Sequence, residues 1–141
     1  MNFVIESIFV GAYTTTIYWL LQKIIFNKKI LFFVTGFLKH LLGWVLGLHT
    51  YYCKHGDACK KYISGSNTIR RFSNKYIPKY LQIYVESIIE GILFLILGIL
   101  FNKLIITNKY TIVFMIGITL HILFEIFGVH DNFCTYQCKR Q

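Results

Sequence analysis

Four apolar stretches, at about residues 3–21, 30–52, 80–101 and 110–130, limit what this chain can fold into. Each holds roughly 19 to 23 residues, the length at which a helix crosses a hydrocarbon layer about 30 Å thick. The chain is 55% hydrophobic and only 15% charged over 141 residues. A soluble domain of that size needs more polar surface to cover its core. The expected class is an all-α integral membrane protein with four transmembrane helices. The first stretch is the least apolar, with Tyr13, Thr14, Thr15 and Thr16 in its middle. Its start, MNFVIES, lacks a positive leading region and carries Glu6, and no small-x-small cleavage site follows. It reads as a retained helix.

The stretches come in two similar pairs. GLHTYYC (47–53) and GVHDNFC (128–134) share Gly, His and Cys in register. Residues 3–26 align with 83–106, and after one inserted residue 27–53 align with 108–134. The matches include Glu6/Glu86, Ser7/Ser87, Gly11/Gly91, Asn27/Asn108, Gly36/Gly117, His40/His121, Gly47/Gly128, His49/His130 and Cys53/Cys134. Shared apolar bias does not place those residue types in register, so the expectation is an internal duplication. Residues 1–53 form one hairpin, 54–79 a basic linker, and 80–141 the second hairpin with a short Cys-containing tail. Two crossings per unit give both copies one orientation, so the hairpins are expected to be tandem repeats related by a pseudo-two-fold axis along the membrane normal.

On the second helix Gly36, His40, Gly43 and Gly47 fall within about 60° of one another at 100° per residue. Gly43 and Gly47 make a small-xxx-small pair, which lets backbones approach in lipid. The fourth helix keeps Gly117, His121 and Gly128 on that stripe but has Phe124 in place of Gly43. Close contact between helices two and four follows, with Gly47→Leu and Gly128→Leu expected to disrupt assembly more than Gly98→Leu.

The formal net charge is +9. The side holding the N-terminus, the 53–79 loop and the tail carries Lys54, Lys60, Lys61, Arg70, Arg71, Lys75, Lys79, Lys139 and Arg140. The two short turns on the other side carry Lys23, Lys28, Lys29, Lys103 and Lys109. This count favours both termini on the same, cytoplasmic side. In the linker, SGSN (64–67) reads as a hinge and Pro78 as the entry to the third helix. Ile69, Phe72 and Tyr76 among basic residues suggest a short interfacial helix on anionic headgroups, or else a solvated basic loop. The expected partners are the lipid bilayer and those headgroups, with a second copy of the chain also admissible. A single short basic patch does not suit nucleic acid.

The chemistry-bearing residues leave several readings open. Cys53, Cys59, Cys134 and Cys138 all lie on the terminal side and are disulfide candidates, either within each repeat (Cys53–Cys59, Cys134–Cys138) or crossed, for instance Cys53–Cys134. Disulfides need an oxidising compartment, which conflicts with a cytoplasmic placement. Alternatively His49 with Cys53 and His130 with Cys134, each at i, i+4, would supply a Cys2His2 zinc set; free or palmitoylated thiols are the third option. His40 and His121, at equal depth, could ligate a haem or simply bond a neighbouring helix. Lys39, Glu86, Glu90 and Glu125 are buried charges, which inside a membrane face inward or pair. Lys39 and Glu90 lie about 15 to 20 Å below the same side, so they are expected to pair. Glu86, Glu90, His121 and Glu125 would otherwise line a proton or cation path. Glu6 reads as a helix-start cap or a partner of loop lysines.

The chain has no HExxH, no Gly-rich phosphate loop, no CxxC and no Gly-x-Ser-x-Gly. No catalytic residue or resident cofactor is therefore expected. The leading expectation is a small multi-pass membrane protein with a structural or scaffolding, non-enzymatic role. The alternatives are a proton or cation channel or transporter using buried Glu and His, and a metal- or thiol-dependent membrane redox protein.

Overall fold

The computed structural model describes residues 2–64, 72–76, 79–104 and 108–140. Its long elements are α1 (Phe3–Leu21), α2 (Lys28–Val45), α5 (Tyr80–Leu104) and α6 (Lys109–Ile126). Shorter pieces are α3 (Leu48–His55), α4 (Asp57–Ser64), α7 (Val129–Asn132) and a π-helical turn (Phe133–Gln137). Among the described residues the elements are helical apart from a two-stranded antiparallel ribbon, β1 (Phe72–Tyr76) with β2 (Cys138–Arg140). Helices α1, α5 and α6 are long and apolar enough to cross a membrane, and α2 with α3 makes a fourth such segment if the two are one bent span.

Asparagines start the helices that follow the short turns. The Asn27 carboxamide accepts from the N–H groups of Lys29 and Ile30, at 3.0 and 3.3 Å. Asn108 accepts from Tyr110 N–H at 3.1 Å. Each side chain satisfies backbone donors that the first turn leaves without intrahelical partners. The other ends are set by glycine in the left-handed region, Gly47 at φ 74° and Gly128 at φ 69°. An L side chain is strained there, and glycine stops a helix without that penalty.

The expected second span, 30–52, is therefore broken. α2 stops at Val45 and α3 leaves at a bend of 72°. The fourth breaks likewise at Gly128, beyond Ile126. The glycine pair Gly43/Gly47 is also not a packing motif. A Cβ on Gly47 or Gly128 would meet nothing within 4 Å, and one on Gly43 would meet His49 of its own segment at 3.2 Å.

The closest helix pairs are α2 with α5 and α1 with α6, not α2 with α6. A Cβ at Gly36 would stand 2.5 Å from Phe94 Cβ, and one at Gly98 would stand 2.6 Å from the Phe32 ring. On the other pair, a Cβ at Gly117 would stand 3.0 Å from Gly11 Cα. Close approach without a side chain is how helices gain dispersion contacts in lipid. Thr14, Thr35 and Ser87 are buried in these contacts, and each hydroxyl donates to the carbonyl four residues earlier on its own helix. They therefore bring no unpaired polarity into the interfaces.

Along its length the bundle divides in two. The half near the short turns is a dry core of Tyr18, Leu31, Phe32, Phe94, Ile112, Val113, Ile116 and Leu120. The half near the termini holds the buried charges. Outward positions such as Ile5, Ile8, Ile92, Ile96 and Leu100 are apolar and exposed, a surface suited to lipid rather than water.

The interfacial helix expected around Ile69, Phe72 and Tyr76 is overturned where it is described: residues 72–76 are a strand paired to the C-terminal tail, with Tyr76 opposite Cys138. The tail supplies a backbone partner from far along the sequence, which local periodicity does not register. Ile69, Arg70, Arg71, Pro78 and the hinge residues 65–67 lie outside the described residues.

Candidate functional site

At the terminal end, α3, α4, α7, the π turn and the ribbon form a cap, and two disulfides hold it. Cys53 of α3 is bonded to Cys138 of β2, and Cys59 of α4 to Cys134 of the π turn. Their Cα–Cα distances are 5.6 and 5.2 Å. Neither bridge closes a small loop within one half; they span 85 and 75 residues and tie the middle of the chain to its end. The small-loop pairings Cys53–Cys59 and Cys134–Cys138, and the crossed pair Cys53–Cys134, are not formed. All four sulfurs are buried with Ala58 and Ile83, against Leu41, Trp44, Tyr52 and Phe133.

Beneath the cap lies a cavity of about 720 Å³ between bundle and cap. Its walls are mostly apolar and include Phe9, Leu48 and Phe124; its titratable lining includes Glu6, Lys39, His40, Glu86, Glu90, His121 and His130. Lys39 Nζ donates to Glu90 Oε1 at 2.7 Å, joining α2 to α5 as helix depth predicts. His40 Nε2 lies 3.2 Å from Glu86 Oε2, and its Nδ1 lies 3.6 Å from Glu90 Oε2. Gln82 and Gln137 both donate to Glu86 Oε1, at 2.8 and 2.6 Å. Gln137 thus reaches from the cap into the bundle.

The second cluster joins α1, α6 and the cap. Glu6 is buried; its Oε1 accepts the Asp57 N–H at 2.8 Å, and its Oε2 lies 3.6 Å from His121 Nε2. His130 Nδ1 lies 3.0 Å from Glu125 Oε2. Burial, together with the neighbouring His121, holds the His130 imidazole below its ordinary value against the pull of Glu125. Imidazoles also meet at a tilt across the bends: His40 with His49 at 4.8 Å and His121 with His130 at 4.6 Å between ring centroids. Tyr52 and Phe133 meet edge-on at 5.8 Å between them.

These contacts revise the ligand sets expected from sequence. Cys53 and Cys134 are both bonded to other cysteines, so the zinc set His49, Cys53, His130 and Cys134 is not assembled. Both nitrogens of His40 face carboxylates and His121 Nε2 faces a third, which takes His40 away from a haem iron. Glu86, Glu90, His121 and Glu125 do not form one row. The first two serve His40, while His121 turns to Glu6 and Glu125 to His130. Glu6 is no interfacial cap of its own helix but a buried acceptor for the cap. Gln137 and Tyr52 carried no signal in the sequence that would have placed them here.

Comparison of the chain with protein-family models, curated proteins and solved structures returns no match.

Proposed function

We propose that this chain is a structural, non-enzymatic component of a membrane: four crossings in two tandem copies of one hairpin, locked at one end by disulfides. The observation that carries this reading is an exchange of contacts. Replacing each residue by its counterpart in the other half turns His40–Glu86 into His121–Glu6. The same exchange turns the Gly91 contact with Phe33 into the Gly11 contact with Phe114. It also turns Cys53–Cys138 into Cys134–Cys59, with Cys59 answering to Cys138. Each contact joins one half to the other, which is what a two-fold arrangement of interlocked hairpins requires.

The charges suit stapling better than transport. Within the described residues the buried charges sit in the capped half, where they pair across helices, and the dry core from Tyr18 to Leu120 fills the other half. Disulfides persist in oxidising surroundings. We therefore place the cap and both termini on a lumenal, extracellular or virion-exposed face, against the count of basic residues. The five lysines of the short turns then face the cytoplasm, where such residues gather.

Impermeant thiol labelling from each side, with and without reductant, tests this. Labelling only after reduction, and only from the non-cytoplasmic side, is the expected result; free thiols reached from the cytoplasm would overturn the placement. The cavity favours a second reading, proton or cation movement. Flux in liposomes that is abolished by Glu90→Gln together with Glu125→Gln would replace the structural role with that one.

A further inference from the structure

We propose that the four cysteines form a convertible centre: two crossed disulfides when oxidised and, once reduced, a tetrathiolate site for a soft divalent cation of the zinc class. This goes beyond the structural role above and does not depend on which side the cap faces.

The geometry between the bridges carries the proposal. Cys59 Sγ and Cys138 Sγ belong to different disulfides and lie 4.0 Å apart. The sulfurs of Cys59, Cys134 and Cys138 all fall within 4.8 Å of one another, and all three residues are buried. Cys53 is bonded to Cys138, so the fourth sulfur stands beside one member of that cluster. A tetrahedral zinc with Zn–S of about 2.3 Å sets its sulfurs roughly 3.8 Å apart. Cys59 Sγ and Cys138 Sγ already stand near that spacing. The two bonded pairs must part and the Cys53 sulfur must turn in toward the other three, and Cα–Cα distances of 5.6 and 5.2 Å leave room for side-chain rotation to do so.

The four ligands come from four elements: α3, α4, the π turn and β2. A metal would therefore make the same long-range links as the disulfides. Cys59 lies in the first turn of α4. Leu41, Trp44, Tyr52 and Phe133 wall the cluster, and exclusion of water strengthens metal–thiolate attraction.

The conversion balances. An external dithiol delivers two electrons and two protons to each S–S bond and is itself oxidised to a disulfide. The four thiols then lose four protons as four metal–sulfur bonds form. Reoxidation by a disulfide-class acceptor re-forms both S–S bonds and expels the metal.

The test uses the full chain in detergent, reduced anaerobically with a phosphine and titrated with Co²⁺, then Zn²⁺. The expected result is tetrahedral cobalt–thiolate absorption saturating at one metal per chain and bleached by zinc, with no such bands in the oxidised chain. Cys59→Ser and Cys138→Ser should each weaken binding at least tenfold. No thiolate bands on reduction, or binding by either variant as tight as by the parent, would overturn the proposal. A second measurement does not require the reduced chain to survive titration. The chain is produced under reducing conditions with added zinc and analysed for metal and thiols. One zinc per chain with no bridges is the expected outcome, and zinc-free chain is the contrary one.

Discussion

Glu6 Oε1 accepts the backbone N–H of Asp57 at 2.8 Å, across 51 positions of sequence. A carboxylate only 2% exposed on the first helix thereby satisfies a donor at the start of α4. The first helix and the cap are thus joined by a charge-assisted hydrogen bond, among the stronger kinds. Glu6→Gln keeps an acceptor for that amide, whereas Glu6→Ala leaves it buried and unpaired. We expect Glu6→Ala to cost about 1–3 kcal/mol and to raise amide exchange over residues 57–64. Glu6→Gln should leave the exchange of α4 close to the parent. Unchanged protection in Glu6→Ala would show that α4 does not depend on this bond.

The glycines rank differently in the structure than along the helix stripe. Gly36→Ala and Gly98→Ala force a Cβ to within 2.5 Å of Phe94 Cβ and 2.6 Å of the Phe32 ring. Overpacking of this kind costs typically 1–3 kcal/mol, and a larger residue more. Gly47→Ala meets open space and pays only for its positive φ, about 1 kcal/mol. Thermal melts in detergent should therefore place Gly98→Leu well below Gly47→Leu, the reverse of the order expected from the small-xxx-small pattern.

Lys39 and Glu90 are 12% and 7% exposed as side chains and bonded at 2.7 Å. Removing one partner leaves a buried charge alone, which costs about 3–5 kcal/mol, while removing both costs far less. Lys39→Met and Glu90→Gln should each destabilise strongly, and the double variant should recover most of the loss. Additive losses in a double-mutant cycle would mean that the pair is not coupled.

Cys134→Ser removes the partner of Cys59 and leaves its sulfur 4.0 Å from Cys138. Thiolate attack on Cys138 forms Cys59–Cys138 and releases Cys53. Peptide mapping of this variant should find the new bridge beside the parent Cys53–Cys138. Its stability should fall by roughly 2–5 kcal/mol, as for the loss of a long-loop disulfide. Cys53–Cys138 alone would show that the two bridges do not exchange.

The depressed imidazole of His130 gives a pH dependence of known sign. Near pH 6.5 the unfolded chain takes up a proton that the folded chain declines. Its contribution to stability is thus complete above pH 6.5 and is lost as the pH falls from there through the folded value. His130→Gln should lose less stability than the parent between pH 7.5 and 5. An equal acid loss in both would remove His130 from the account.

The long apolar helices were legible because length and apolarity are local quantities: α1 coincides with the expected 3–21, and α5 begins at the expected Tyr80. The Lys39–Glu90 bond was legible because helical rise fixes depth. Gly47 was misread because a Gly-x-x-x-Gly spacing suits close packing and helix termination alike, and only the backbone angle separates them. The strand at 72–76 and the Asp57–Glu6 bond both depend on partners far along the chain, on which local pattern is silent. The disulfide pairing was open for the same reason, since spacing alone permits every combination.

The bridges to Cys134 and Cys138 enclose residues 65–71 within both covalent rings. A protease that nicks the backbone there therefore yields a molecule cut but undivided. Its two pieces would migrate together on a non-reducing gel and part only when thiol is added, so the backbone between the hairpins is dispensable to their union once the sulfurs have joined.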